Sequence, residues 1–186
     1  PLPDANRAGP STLVKAGDCH VLVDAGRGVL MRMAAAGSLP VFLSGVLLTH
    51  LHSDHICDLN DVVTTHWIMS QGNGTLAIYG PPGTQEFVDR QMHALEADIG
   101  YRIEHHDQLT NGPKVDVTEL SPGADFSIND FRITAAATQH APVHPTLGYR
   151  FENDSAVAAL VGDTVPCEGV DELAASADAY VQTVIR

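Results

Sequence analysis

Basic residues, aromatic residues, cysteines and long apolar runs are all scarce in this chain. Ten Lys and Arg stand against 23 Asp and Glu, a formal charge of −13. A surface of that sign repels phosphate backbones, which excludes a broad basic footprint for nucleic acid. Some carboxylates can serve as cation ligands, while most of the acidity is solvated surface. Aromatics make up only 5% of the residues, so Val, Leu, Ile and Ala must fill the core. With 44% apolar content over 186 residues, they suffice for a sizeable core and a single domain, residues 1–186. The three cysteines, Cys19, Cys57 and Cys167, lie far apart and form no C-x-x-C pair. That argues against a disulfide framework and points to a reducing, cytoplasmic setting. No stretch approaches a membrane span, and no basic-then-apolar leader is visible. Pro1 is not a natural start, so the chain reads as trimmed.

What is present alternates between strand and helix patterns. Thr12–Lys15 and His20–Asp24 read as a hairpin around Gly17-Asp18. Val29–Ala36 favours helix and stops at Gly37. The continuous apolar run ending at Thr49 reads as a buried strand, Val46–Thr49. Asp58 is placed to cap a helix through Val62, Val63, Trp67 and Met69, and Leu76–Tyr79 reads as a strand. Thr84 is placed to cap one helix carrying Phe87, Val88, Met92, Leu95 and Ile99 at helical spacing. The second half turns to β: residues 115–120, 125–128, 131–138, 147–151 and 156–161, with short Pro-Gly and Asn-Asp connectors. A helix over Asp171–Ser176 and a strand from Tyr180 to Ile185 follow. Interleaved strands and helices with hairpins in both halves suit two sheets with helices outside, a four-layer αββα arrangement of the α/β (α+β) class.

The chemistry gathers around Thr49-His50-Leu51-His52-Ser53-Asp54-His55. Three imidazoles and a carboxylate within six positions, at the end of a strand, suit zinc and similar divalent ions. His50 and His52, two apart on extended backbone, project the same way and can grip one ion. Asp54 and His55 lie past the turn and can reach a second. With ten His in the chain, a loop that is histidine-rich by chance is the competing reading, and this spacing disfavours it. His140 and Asp163 also follow strands, and a tetrahedral site asks for three or four N/O ligands. His50, His52 and His140 can supply the nitrogens, and Asp163 can bridge to the second ion. His20, His66 and His93 read as surface or packing residues, and His105-His106 as solvated loop. Cys57 reads as a small buried residue.

These residues carry a resemblance. The segment 49–55 resembles the H-x-H-x-D-H signature of the metallo-β-lactamase fold superfamily, and Leu22-Val23-Asp24-Ala25-Gly26 resembles that fold's strand-turn before its first helix. Residues 77–83 (Ala-Ile-Tyr-Gly-Pro-Pro-Gly), His140 followed by Gly148-Tyr149-Arg150, and Gly162-Asp163-Thr164 resemble the ribonuclease Z and arylsulfatase-like branch. The resemblance implies a metallo-β-lactamase sandwich, apparently cut at both ends. It implies one Zn2+ on His50, His52 and His140, a second on Asp54 and His55, and Asp163 bridging. It also implies a further His-bearing strand beyond residue 186, so the second site lacks one ligand here. Where ribonuclease Z has a His-Glu-Ala-Thr segment, this chain reads Val181-Gln182-Thr183-Val184. No long Gly-, Pro- or Lys-rich insertion for clamping tRNA is visible.

The implied function is a zinc-dependent hydrolase that cleaves a phosphodiester with a metal-bridging hydroxide. Two divalent ions ~3.5–4 Å apart lower the pKa of a shared water toward ~7 and polarise the substrate. Asp54 is a candidate for orienting that hydroxide and relaying its proton. His144, four residues after His140, is a candidate for substrate contact. Asp24 reads as a brace for the turn or for a ligand. The expected substrate is a small-molecule ester or an RNA phosphodiester, and a homodimer is an analogy with the branch. Two alternatives stand beside this reading: an arylsulfatase-like sulfate-ester hydrolase, and an inactive metal-binding scaffold.

Overall fold

The computed structural model describes residues 4–184. Ten strands form two five-stranded sheets. The first holds β1 (Thr12–Ala16), β2 (Cys19–Val23), β3 (Leu43–Leu47), β4 (Thr75–Gly80) and β5 (Lys114–Glu119) in that order. Only the β1/β2 hairpin is antiparallel; β2 to β5 run parallel. The second sheet runs β10 (Ala179–Val181), β9 (Val157–Leu160), β8 (Leu147–Glu152), β7 (Phe131–Ala137), β6 (Asp125–Ile128). It is antiparallel except for β10 beside β9.

Parallel strands need crossovers, and here these are helices outside the first sheet. They are α1 (Val29–Ala35), α2 (Ser53–Ile56), α3 (Leu59–Met69), α4 (Thr84–Ala94) and α5 (Glu96–His105). Val29, Met33, Leu59, Val62, Val63 and Val88 meet Leu22, Val46, Leu76 and Ile78 there. Between the sheets, Val21, Val23 and Leu47 pack against Ile133, Leu147, Tyr149, Phe151 and Leu160. Each such fully buried side chain contributes about 1.5–3 kcal/mol of transfer free energy. Beyond the second sheet, α6 (Glu168–Ala174) seats Leu173 on Ala136, Ala159 and Val161. The αββα order of layers expected from the alternation is the order observed.

Several local expectations need correction. Asp58 stands at the N-cap of α3 as expected and its carbonyl accepts the Val62 N–H, but its side chain makes no cap bond; Oδ2 instead accepts the Gly28 N–H at 2.6 Å. Thr84 is the first residue of α4 rather than its cap. The side chain of Glu119, on the neighbouring strand β5, takes over the capping and accepts the N–H groups of Gly83 and Gln85. The single helix expected through Ile99 is two, because Leu95 (φ −98°, ψ 7°) turns the chain. α4 packs onto the sheet, whereas no residue of α5 is buried. The last helix begins at Glu168, three residues before the expected Asp171. The last strand ends at Val181 rather than Ile185, which itself lies outside the described residues.

Candidate metal centre

Four strand ends meet at one edge of the sandwich. β2 delivers Asp24, β3 delivers Thr49 and His50, β7 leads to His140, and β9 leads to Asp163. The two sheets are stitched at this level by two cross-sheet bonds. The buried hydroxyl of Tyr149 donates to the Leu48 carbonyl at 2.6 Å, and the Leu147 N–H donates to the Thr49 carbonyl at 2.8 Å. Ligand-bearing loops from different sheets are thereby held in one frame.

Three ring nitrogens converge there. His50 Nε2 lies 3.1 Å from His52 Nδ1, which lies 3.2 Å from His140 Nε2. With Asp163, these residues offer ligand atoms that all lie within 4.8 Å of one another. Asp54 and His55 stand on the short helix α2, an element not expected from the sequence. His55 is fully buried, and its Nε2 faces Asp163 Oδ1 at 3.4 Å. Neither atom has a hydrogen-bond partner, although both are buried. The opposite nitrogen of His55 approaches Asp24 Oδ2 at 2.7 Å. The carboxylate can only accept there, so Nδ1 carries the proton. Nε2 then faces a carboxylate oxygen, and either a second ring proton or a cation must lie between the two.

The protonation preferences follow the same geometry. Burial, then the neighbouring imidazoles, hold the His50 pKa down to about 3, so its ring is neutral and one of its nitrogens has a lone pair. Burial also disfavours a charged His55, but the carboxylates of Asp163 and Asp24 overcome it and raise that pKa to about 10. Asp163 is held at about 2, chiefly by His55, with a contribution from the Thr183 hydroxyl. The donor set, imidazole plus carboxylate around an electronegative cleft, fits a divalent metal.

The structure therefore brings together His50, His52, His55, His140 and Asp163, with Asp54 one residue from His55 in α2. His144 is exposed on the turn that follows His140. Among the other histidines, His20 is buried against Ser38 Oγ at 2.7 Å, and His66 is buried on α3. His93, His105 and His106 are exposed, and Cys57 is half-buried. Two residues had no role assigned from sequence. Thr183 influences Asp163 from the segment where a histidine was expected, and Thr49 lies within the motif itself. A cavity of about 290 Å³ beside the cluster is lined by Asp24, Thr49, Gly162, Gln182 and Thr183 among others.

Residues 20–184 match the model of the β-lactamase superfamily domain. The chain is 53% identical to ribonuclease Z of Mycolicibacterium gilvum over 188 aligned positions, covering all of this chain and 66% of that protein. It is likewise 53% identical to ribonuclease Z of Mycobacterium bovis, covering all of this chain and 67% of that protein. The chain thus spans about two-thirds of the length of these relatives. Among solved structures, human tRNase Z, short form, superposes with a TM-score of 0.75 at 21% identity, over 97% of this chain and 73% of that one. The metallo-β-lactamase fold protein YhfI from Bacillus subtilis gives 0.71 at 25% identity, over 96% and 64%.

Proposed function

Because this chain belongs to the metallo-β-lactamase superfamily, in its ribonuclease Z branch, we propose that it is the metal-bearing portion of a zinc-dependent phosphodiesterase acting on RNA. One observation carries the reading: three ring nitrogens and the Asp163 carboxylate converge at a sheet edge beside a buried, unsatisfied His55–Asp163 pair. His50, His52 and His140 would hold one ion, Asp54 and His55 the other, and Asp163 both. When bound, such ions supply Lewis acidity and a water acidic enough to ionise near neutral pH.

The remaining work falls to side chains of this chain. Asp24 and Thr49 fix the imidazoles so that their lone pairs face the cleft. Asp54, at the first turn of α2, orients the attacking water and accepts its proton. His144, exposed beside His140, contacts the phosphate ester from the open side. No helix among the described residues is long and apolar enough to cross a membrane.

The test uses the full-length protein on three substrates: bis-p-nitrophenyl phosphate, p-nitrophenyl sulfate and a structured RNA. Each is assayed with chelator, and again after Zn2+ is restored. The expected result is metal-dependent cleavage of the two phosphodiesters, abolished by His140→Ala. Cleavage of the sulfate ester alone would move the assignment to the arylsulfatase-like alternative. No turnover of any substrate by a protein that still binds zinc would leave an inactive scaffold.

A further inference from the structure

We propose that the Thr49 hydroxyl is a positioning group through which one buried carboxylate, Asp24, serves both metal positions. This rests on the metal reading of the site given above. Thr49 Oγ1 donates to Asp24 Oδ2 at 2.8 Å, and the same hydroxyl oxygen lies 3.0 Å from His50 Nδ1. A hydroxyl has one proton, and a carboxylate can only accept it. Thr49 is therefore left with lone pairs toward His50, and His50 Nδ1 must be the donor. That assigns the tautomer of His50 and turns its unprotonated Nε2 toward His52 and His140.

Asp24 Oδ2 also receives His55 Nδ1, at 2.7 Å, and so fixes the tautomer of the ligand on the opposite side. The other oxygen, Oδ1, accepts the Thr49 backbone N–H at 2.8 Å, which keeps the carboxylate from rotating. All four residues are nearly shut off from solvent: Asp24 4%, Thr49 1%, His50 0% and His55 0% exposed. Thr49 also abuts the loop that carries Asp163. Gly162 has φ +63°, and a Cβ there would lie 2.9 Å from Thr49 Oγ1 and 3.1 Å from its methyl carbon. One side chain thus touches the carboxylate anchor, the first histidine and the loop of the bridging aspartate.

The two arms of the relay differ in what they serve. His55 is held by Asp24 directly, and His50 only through Thr49. Removing the hydroxyl should weaken the His50/His52/His140 position and spare the other. Altering Asp24 should weaken both. Groups that orient metal ligands in this way are typically worth ~10–100-fold in metal affinity.

The experiment titrates Zn2+ into the metal-free, full-length protein against a chelating dye, with His140→Ala marking the step that belongs to the first position. Thr49→Val should lower the affinity of that step by ~10–100-fold and leave the other unchanged. Thr49→Ser should restore it, and Asp24→Asn should weaken both steps. Wild-type affinity in Thr49→Val overturns the proposal, as does a Thr49→Ser variant as weak as Thr49→Val. A direct reading needs no variant: the ring 15N shifts of His50 in the metal-free protein should report the Nδ1–H tautomer. The Nε2–H tautomer would overturn the proposal even if Thr49→Val failed to fold. Failure of the wild-type protein to take up zinc at all would overturn the metal reading as well, which separates that failure from one of the relay alone.

Discussion

Replacing Tyr149 with Phe removes one oxygen atom from the join between the two sheets. The ring is fully buried on β8, and its hydroxyl donates to the Leu48 carbonyl at 2.6 Å. Burial, with the charge of Asp24 nearby, pushes the phenol well above its ordinary range, so it remains a donor at any working pH. Phenylalanine fills nearly the same volume, so no appreciable cavity opens. The cost is that of stranding a buried carbonyl acceptor, about 1–3 kcal/mol. For a protein of this size, about 2 kcal/mol corresponds to a fall of roughly 4–8 °C in melting midpoint. Leu48 immediately precedes Thr49 and His50, so the loss falls where the metal loop departs from β3. Asp24 and the Leu147–Thr49 backbone bond still hold Thr49, so metal uptake should persist. The assay is urea and thermal unfolding of wild type and Tyr149→Phe, both with excess chelator. A midpoint shift at constant denaturant slope is expected. An unchanged midpoint would refute the claim that this bond joins the sheets energetically.

Three further outcomes follow from individual contacts. A Cβ on Gly169 would stand 1.9 Å from the Ala137 carbonyl oxygen, so Gly169→Ala must push α6 off β7. It should lose at least about 2 kcal/mol by chemical denaturation, and a neutral result would mean that α6 docks differently. His66 is buried and its pKa is lowered by desolvation, so the folded state prefers it neutral. Its stabilising effect is complete above the unfolded value near 6.5 and is lost as pH falls through the folded one. His66→Gln should therefore flatten the decline in stability between neutral and mildly acidic pH, and parallel curves would contradict this. Excess Zn2+ at about 100 times the Kd of one position should stabilise the folded state by about 2.7 kcal/mol for that position, read as a rise in melting midpoint that His140→Ala reduces.

The His/Asp cluster was legible because much of it is local. His50, His52, Asp54 and His55 fall within six consecutive positions at a strand end, and spacing alone says that they share a cleft. His140 and Asp163 could be added because each follows an apolar run, and strand ends gather at sheet edges. What escaped the sequence is what depends on partners remote along the chain. Glu119 caps α4 from 34 and 36 positions away, so the Thr84 pattern named the right helix and the wrong cap. Asp58 stands at the expected N-cap, but local rules cannot see Gly28 drawing its side chain away from the helix. The apolar stripe through Ile99 continued past Leu95 although the backbone did not, since spacing records which face is apolar and not whether the axis bends. Thr49 was passed over for a related reason. Threonine is an ordinary strand residue, and its hydroxyl acquires meaning only once Asp24, 25 positions earlier, is folded against it.

The charge of −13 and a phosphodiester substrate are compatible if attraction is local rather than spread over the surface. Arg90, Arg102, Arg132 and Arg150 are each held by a carboxylate of this chain, Glu86, Asp98, Asp125 and Glu152 respectively. Arg150 additionally donates to the Leu173 and Ala175 carbonyls at the end of α6. These cations are committed to the fold's own surface, while the one pronounced cation-seeking cleft among the described residues is the His/Asp cluster. On the proposed reading, a substrate phosphate would then be drawn to ions held in that cleft and not to a basic track along these helices and strands. The consequence is measurable through salt. If Arg90, Arg102 and Arg132 contacted substrate phosphates, neutralising all three would flatten the slope of log kcat/KM against log salt by ~0.7–0.9 for each contact. The committed pairs require instead that the triple Gln variant keep the wild-type slope. A flattened slope would place the substrate across the acidic face and break the argument that its charge is met at the metal centre.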